Sequence, residues 1–199
     1  MPATVSLYLV DGSTLAQALP ESGLALLGEQ ELARCARFLR PERRRQFVLG
    51  RVLARKAIGR LLGVSPGALA IVDMPGAAPQ LAAPHHAHFS ISHSGPWVAC
   101  AVSADTALGL DIETIDPARD VESLAAQAFD AAQCAWLAAR PEASRLRDFY
   151  MAWSAQEAQI KLGVPAAQTV QLHHPAVSVA LCSAHALAAI PQLDTICLD

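Results

Sequence analysis

The sequence predicts an α+β fold, in which helices and strands occupy separate stretches of the chain instead of alternating. Helical patterns cover residues 29–62, strand patterns follow between residues 88 and 113, and the chain is then mostly helical to residue 163 before β-like runs return. With 199 residues, of which 53% are hydrophobic, the chain can bury a substantial core. Widespread disorder is thereby excluded.

The first third of the chain predicts one strand and two helices. A short apolar run at residues 5–10 is typical of an opening strand. The helical pattern of residues 29–62 breaks near Pro41, and proline suits the first turn of the second helix. One broad face of that second helix is apolar, formed by Phe47, Leu53, Ala54, Ala57, Ile58 and Leu61.

An arginine stripe, made of Arg44, Arg51 and Arg55, runs beside this apolar face. Such a stripe is either the solvated edge of an amphipathic helix or a rail that binds anions. The periodicity alone favours the solvated edge.

The middle of the chain predicts a hairpin and a third strand. A loop rich in proline, glycine and alanine covers residues 74–84. Two strand patterns follow at residues 88–92 and 97–102, separated by the turn signal Ser94-Gly95-Pro96. The third strand pattern covers residues 108–113.

The last part of the chain predicts helices followed by short strands. Residues 149–162 carry the strongest helical pattern, and β-like runs lie at residues 177–182 and 195–198. Residues 99–104 and 179–184 echo each other at a constant offset. In an alanine-rich chain this echo is either chance or the trace of an internal duplication.

Composition and charge exclude several classes of protein. The formal net charge of -3 argues against a generally basic nucleic-acid binder. No stretch approaches the roughly 18 apolar residues of a membrane span, and the N-terminus lacks the basic start of a signal peptide. Cys35, Cys100, Cys134, Cys182 and Cys197 show no CxxC spacing, which fits a reducing environment without zinc. We therefore expect a soluble, cytoplasmic protein.

Asp111 and Glu113 form the first cluster that could carry chemistry. Residues two apart on a strand share a face, so the two carboxylates project together. Paired carboxylates suit magnesium, which prefers hard oxygen ligands. A polar strand end exposed to water explains the same pattern equally well.

Trp153, Glu157 and Lys161 form the second cluster, spaced four apart on the strongest predicted helix. They share one side of that helix, with the carboxylate one turn before the ammonium. Taken alone, the Glu157 and Lys161 pair is an ordinary i,i+4 salt bridge.

Ser92 and His93 form the third cluster, near the end of the predicted strand that precedes the turn. A hydroxyl and an imidazole at a strand end can donate hydrogen bonds to a phosphate. A lone histidine at such a place is more often a surface residue.

The sequence resembles the 4'-phosphopantetheinyl transferases of the Sfp type in three segments, FSISHSGPWVACAV, GLDIE and WSAQEAQIKLG, which follow in the family's order. The resemblance covers residues 34–163. It implies two similar α+β halves with the active site in the cleft between them, and we expect these halves at residues 1–105 and 106–199. It also implies transfer of the phosphopantetheine arm of coenzyme A to a serine of an apo acyl or peptidyl carrier protein, with release of 3',5'-ADP.

The resemblance implies magnesium ligands and a catalytic pair. Asp111, Glu113 and Glu157 correspond to the magnesium ligands. Glu157 also corresponds to the base that takes the serine proton, and Lys161 to the lysine near the pyrophosphate.

The resemblance further implies a binding site for the 3'-phosphate end of coenzyme A. Ser92 and His93 match the family positions that hold this end. Arg51, together with Arg45, corresponds to their basic partner. With the resemblance, the rail that binds anions becomes the favoured interpretation of the arginine stripe. The two-half pattern favours a monomer.

Two positions depart from the family pattern. Gln156 stands where a lysine is common, and Ala77-Ala78-Pro79 replaces the usual Gly-Lys-Pro. Both changes remove a positive charge from the expected phosphate site. A non-catalytic binder of coenzyme A or carrier protein is therefore one alternative to a transferase, and a magnesium-dependent phosphohydrolase that uses the same carboxylates is another.

Overall fold

The computed structural model describes residues 1–14, 21–74, 76–196 and 198. The α-helices in these ranges are α1 (Glu21–Leu24), α2 (Glu29–Ala36), α3 (Pro41–Leu62), α4 (Val121–Ala128), α5 (Ala131–Ala138) and α6 (Glu142–Leu162). The strands are β1 (Ser6–Asp11), β2 (Ile71–Val72), β3 (Gln80–Leu81), β4 (His88–Ser94), β5 (Trp97–Ser103), β6 (Leu108–Thr114), β7 (Gln168–Leu172), β8 (Val177–Ser183) and β9 (Leu193–Asp194). The predicted α+β class is confirmed.

The strands form two sheets and a small ribbon. Sheet 1 has the order β4-β5-β1-β9, with β9 parallel to β1 and the other pairs antiparallel. Sheet 2 has the antiparallel order β6-β8-β7, and β2 pairs with β3 in the ribbon. The predicted hairpin is confirmed as β4 and β5, which are joined at Gly95 with a φ of 53°.

The two sheets repeat one chain order. In each sheet a first strand, β1 or β6, is followed along the chain by a long helix, α3 or α6. Two more strands of that sheet come after the helix, β4 and β5 in sheet 1 and β7 and β8 in sheet 2. The last of them, β5 or β8, lies between the other two. β5 begins at Trp97 and β8 at Val177, so the sequence echo falls on these two central strands. The fold therefore consists of two similar halves, as the resemblance implies.

The core lies in layers between the two long helices. The sheets pack face to face through the apolar residues of β1, β5, β6 and β8. α3 covers the outer face of sheet 1, and α6 covers the outer face of sheet 2. The apolar face predicted for α3 is confirmed, since Leu53, Ala54, Ala57 and Ile58 are fully buried against sheet 1.

α6 approaches β6 very closely at Gly109. A Cβ atom added to Gly109 would lie 1.9 Å from the carbonyl oxygen of Ala158 and 2.6 Å from the backbone nitrogen of Leu162. Only a residue without a side chain fits there, so Gly109 sets how near α6 lies to the strand that carries Asp111.

Two predictions about the arginine stripe and the C-terminus need correction. The solvated edge favoured by periodicity is wrong for Arg51 and Arg55, because both are buried in ion pairs. The terminal strand expected at residues 195–198 lies instead at Leu193–Asp194, and residue 197 is outside the described residues.

β7 and the ribbon strands β2 and β3 were not predicted. The residues of β7, QTVQL, are largely polar, because this edge strand exposes one side to water. Among the described cysteines, Cys35, Cys100 and Cys182 are buried free thiols and Cys134 is a half-buried one. Cys197 is outside the described residues. Within the part of the chain that is described, no helix is both long and apolar enough to cross a membrane.

Candidate active site

Three serines of β4 join the edge of sheet 1 to the edge of sheet 2. The hydroxyl oxygens of Ser90, Ser92 and Ser94 accept hydrogen bonds from the backbone N–H groups of Leu110, Ile112 and Thr114, at 2.9, 3.2 and 2.9 Å. Alternate residues of a strand share a face, so the spacing Ser-x-Ser-x-Ser supplies one hydroxyl for each outward N–H of β6. This spacing is visible in the sequence and is the signal for the junction.

Asp111 lies at the centre of this junction with Lys161 and Ser92. The Lys161 ammonium lies 2.7 Å from Asp111 Oδ1 and 3.0 Å from the Ser92 hydroxyl oxygen, and that hydroxyl donates to Oδ1 at 3.0 Å. Asp111 Oδ2 is buried and has no hydrogen-bond partner among the described residues. Burial raises the pKa of Asp111, and the charge of Lys161 partly offsets that shift. The site thus holds a desolvated carboxylate with one oxygen unused.

Glu113 lies on the same face of β6 and is half-buried. Its Oε2 accepts a hydrogen bond from the Ser94 hydroxyl at 2.8 Å. Burial raises the pKa of Glu113; the hydrogen bond from Ser94 opposes this shift, and the nearby negative charge of Asp111 adds to it. The predicted shared face of the two carboxylates is therefore observed, and the alternative of a strand end open to water does not apply to the buried Asp111.

Glu157 lies one turn before Lys161 on α6 and is half-buried. Lys161 pairs with Asp111, not with Glu157 in an ordinary i,i+4 salt bridge. In the described residues, no group of three or more His, Cys, Asp or Glu side chains is arranged to hold a metal ion. The structure thus places Asp111 and Glu113 on one face of β6, with Lys161 of α6 in contact with Asp111.

A cavity of about 800 Å³ opens beside Lys161. Its wall also contains Arg51 and His93, two of the residues predicted to hold coenzyme A. Desolvation by the surrounding protein, followed by the like charge of Arg43, lowers the pKa of His93. His93 is therefore neutral at neutral pH and can donate one ring N–H.

The other two residues predicted to hold coenzyme A lie elsewhere. Ser92 is buried at the sheet junction, with its hydroxyl on Asp111 and the backbone of Ile112. Arg45 donates to the carbonyl oxygen of Gly12 at 2.7 Å and lines a separate, smaller cavity.

An ion-pair network behind the cavity wall was not predicted. Arg51 pairs with Asp73 and Glu31, and Arg55 pairs with Glu31 at 2.5 Å and donates to the carbonyl oxygen of Leu69. Asp73 and Glu31 lie far from Arg51 in the sequence, and no local spacing links them to it.

Gln156, which replaces a common family lysine, points away from Asp111. Its amide nitrogen donates to the carbonyl oxygen of Ala128 at 3.1 Å. Its amide oxygen accepts a hydrogen bond from the amide nitrogen of Gln133 at 3.4 Å. The side chain therefore ties α6 to the connection between α4 and α5.

A second cavity, of about 400 Å³, begins at Glu113 and Ser94. The aromatic residues Phe149, Tyr150 and Trp153 of α6 form part of its wall, and charged residues such as Arg119 line it as well; we call it the aromatic cavity. Trp153 therefore lines the same cavity as Glu113.

Comparison with known proteins places the chain in a family. A family model described as 4'-phosphopantetheinyl transferase, N-terminal, matches residues 20–105, and one described as 4'-phosphopantetheinyl transferase superfamily matches residues 107–189. The 4'-phosphopantetheinyl transferase AcpT of Salmonella typhimurium is 31% identical over 160 residues, which cover 78% of this chain and 75% of AcpT. The chain belongs to the 4'-phosphopantetheinyl transferase superfamily.

Other members of the superfamily are also similar to the chain. The 4'-phosphopantetheinyl transferase HetI of Nostoc sp. strain PCC 7120 is 36% identical over 149 residues, covering 71% of this chain and 63% of HetI. Sfp of Bacillus subtilis strain 168 is 29% identical over 147 residues, covering 74% of this chain and 64% of Sfp. The chain thus spans a little under two thirds of the length of HetI and of Sfp.

Proposed function

We propose that this chain transfers the 4'-phosphopantetheine arm of coenzyme A to a serine of an apo acyl or peptidyl carrier protein, with magnesium, and releases 3',5'-ADP. The observation that supports this most is that Lys161, fixed by Asp111, opens on the same cavity as Arg51 and His93. One cavity thus offers donors for two phosphate groups, and one of those donors, Lys161, contacts the buried carboxylate of Asp111.

The cavity suits the charged end of coenzyme A, which carries a 3'-phosphate and a pyrophosphate. We assign the 3'-phosphate to Arg51 and His93 and the pyrophosphate to Lys161. Arginine matches the geometry of a phosphate monoester, and lysine provides a point charge at the reacting phosphates. Contacts of Ser92 and Arg45 with coenzyme A stay predictions, since their polar atoms already have protein partners.

Asp111 and Glu113 fit the chemistry of a magnesium ion. Asp111 Oδ2 is a buried acceptor without a partner, and both carboxyl groups have raised pKa values, so a nearby cation would stabilise their ionised forms. We propose Glu157 as the third ligand, a role that rests on the family resemblance. When bound, a magnesium ion would neutralise negative charge on the phosphoryl oxygens.

The reaction forms a bond between the serine oxygen of the carrier and the β-phosphorus of coenzyme A. The bond from that phosphorus to the bridging oxygen breaks, and 3',5'-ADP leaves with the electron pair. In this proposal Lys161 stabilises the negative charge that develops on the departing phosphate. Glu157 accepts the proton of the attacking serine, directly or through a water molecule.

The carrier protein would approach on the side of the aromatic cavity. Trp153, Phe149 and Tyr150 form an apolar wall next to Glu113. Three arginines near the start of α6 are candidates for attracting an acidic carrier, but each already contacts a protein partner: Arg140 contacts Asp148, Arg145 contacts Glu122 and Arg147 contacts His173. We therefore expect apolar contact to contribute more to carrier binding than these arginines do.

A mass-shift assay tests the proposed function. The protein is incubated with coenzyme A, Mg²⁺ and each of several apo carrier proteins, and mass spectrometry measures addition of one phosphopantetheine group. We expect modification of at least one carrier, with loss of activity in Glu157→Gln. Glu142→Gln, an exposed change on the same helix, is the matched control and should retain activity.

Three outcomes contradict the proposal. Carriers that stay unmodified while coenzyme A binds would indicate a non-catalytic binder. Release of 3',5'-ADP without any carrier would indicate a phosphohydrolase. Equal activity of Glu157→Gln and Glu142→Gln would remove Glu157 from the catalytic role.

A further inference from the structure

The arginine wall of the large cavity contains a carboxylate of its own. Asp73 follows strand β2 and lies between two guanidinium groups, with Oδ1 against Arg51 and Oδ2 2.8 Å from Arg34 Nη1. All three residues line the cavity. Burial alone would raise the pKa of Asp73, but the hydrogen bond from Arg34 and the charge of Arg51 hold it below the usual value. Asp73 is thus ionised at neutral pH.

Arg51 has no pair of adjacent donors that are both vacant. Its Nη2 contacts Asp73, its Nε lies 3.5 Å from Glu31 Oε1, and its Nη1 is buried with no hydrogen-bond partner among the described residues. A phosphate monoester is bound most strongly when two parallel N–H groups of an arginine reach two of its oxygens. Both sides of the guanidinium that can offer such a pair, Nε with Nη2 and Nη1 with Nη2, include Nη2, so a phosphate at either side competes with Asp73.

Asp73 is the carboxylate that can leave. Its side chain is 30% exposed, whereas that of Glu31 is 3% exposed and also holds Arg55. Removing Glu31 from Arg51 would leave buried charges unpaired, which is costly, while Asp73 can turn to water. The contact between Asp73 and Arg51 is therefore the exchangeable one.

We propose that Asp73 is a specificity-determining residue that competes with the 3'-phosphate of coenzyme A for Arg51. This inference rests on the proposed function. The competition lowers the affinity for every ligand that carries this phosphate, and it leaves a ligand without the phosphate unaffected. Substrate and product, coenzyme A and 3',5'-ADP, share the group, so Asp73 also speeds product release.

Binding measurements on Asp73→Asn test the proposal. Isothermal titration calorimetry without Mg²⁺ compares coenzyme A, 3',5'-ADP and coenzyme A that lacks its 3'-phosphate. Removing one negative charge beside the phosphate should tighten binding of the first two ligands about tenfold and change the third less than about twofold. In turnover, the KM for coenzyme A should fall, and inhibition by 3',5'-ADP should strengthen.

Three further variants serve as controls. Asp73→Glu keeps the charge and should bind like the wild type, and Asp73→Ser repeats the neutral change with a smaller group. Asp148→Asn removes the carboxylate of a surface ion pair with Arg140 and is the matched control. It should leave all three affinities unchanged.

The outcomes separate this proposal from the proposed function. If the wild type binds coenzyme A and both Asp73→Asn and Asp73→Ser bind it equally well or more weakly, the proposed competition by Asp73 is wrong. The proposed function is not affected by that result. An equal gain for the ligand without the 3'-phosphate overturns the assignment of Arg51 to that phosphate. If the wild type binds neither coenzyme A nor 3',5'-ADP, the proposed function fails as well.

Discussion

The two halves of the molecule place different residues at matching points of the same frame. Tyr8 of β1 pairs with Cys100 of β5, and Asp111 of β6 pairs with Ala180, which lies 80 residues after Cys100 on β8. Tyr8 packs into the core under α3, whereas Asp111 pairs with Lys161 of α6. By the same register Val10 corresponds to Glu113.

The long helices differ in the same way. α3 and α6 each end at a glycine with positive φ, Gly63 and Gly163. When the helices are aligned at these glycines, Ala57 and Leu61 of the first half correspond to Glu157 and Lys161 of the second. Ala57 is fully buried in the core, and Leu61 packs against that core.

The first half uses these four positions to stabilise its core, and the second half uses them for the charged groups around Asp111. Apolar residues at the four positions fill the space between β1 and α3. Charged residues stand at the same positions in the second half, where Asp111 Oδ2 is buried without a partner among the described residues and burial raises the pKa of Asp111 and Glu113. Such under-compensated charge is typical of functional sites.

The largest effect is expected from Asp111→Asn, which makes the second half resemble the first. The change removes the carboxylate that holds Lys161 and that is proposed to bind magnesium. We expect kcat/KM for carrier modification to fall by about 100-fold to 1,000-fold. Asp194→Asn, on the exposed edge strand of sheet 1, should keep full activity, and a similar loss there would contradict the assignment.

Gly109→Ala tests whether the close approach of α6 to β6 is required. Its methyl group would overlap the backbone of Ala158 and Leu162, so the helix must shift. We expect the free energy of unfolding to fall by about 3 kcal/mol, measured by urea titration. Gly67→Ala, where an added Cβ meets only ordinary contacts, should cost little. Equal costs at both positions would show that the approach is not tight.

Ser90→Ala tests the junction between the halves. The variant leaves the N–H of Leu110 without its acceptor, and Leu110 is fully buried. The expected loss is about 1–2 kcal/mol in the free energy of unfolding. The surface control Ser123→Ala should change it by less than about 0.5 kcal/mol. A loss no greater than that of the control would mean that water replaces the serine.

The pH dependence of the free energy of unfolding tests the raised pKa values of Asp111 and Glu113 on β6. A raised folded-state pKa means that the folded protein binds more protons than the unfolded chain. The contribution of Asp111 and Glu113 to the free energy of unfolding therefore decreases as pH rises from about 4 through their raised values. The double variant Asp111→Asn with Glu113→Gln should lose this decrease in chelator-treated samples. An unchanged slope would contradict the pKa directions.

The smallest effect is expected from Gln156→Lys, which restores the common family residue. The Gln156 amide contacts the carbonyl oxygen of Ala128, away from Asp111. We expect kcat/KM to change by less than about threefold. A gain of tenfold or more would mean that a lysine at this position reaches the phosphates.

Much of the fold could be predicted because its long elements carry strong local signals. Pro41 marks the start of α3, β4 alternates apolar and polar residues, and β5 and β8 are rich in apolar residues. β7 was missed because its polar residues face water on an edge strand. The strand expected at residues 195–198 was misplaced because a short apolar run has no period that fixes its pairing.

The sequence by itself determined the fold class, the pairing of Asp111 with Glu113 on one face, and the family. The fold class and the shared face depend on local spacing, which the backbone geometry of strands and helices converts directly into position, whereas the family rests on the resemblance of three motifs. Only the tertiary structure decided that Lys161 pairs with Asp111 instead of Glu157. It also decided that the Ser92 hydroxyl joins the two sheets and that Asp73 forms an ion pair with Arg51. These contacts join residues far apart in the chain, and they form because buried charges and N–H groups need partners wherever the packing supplies them.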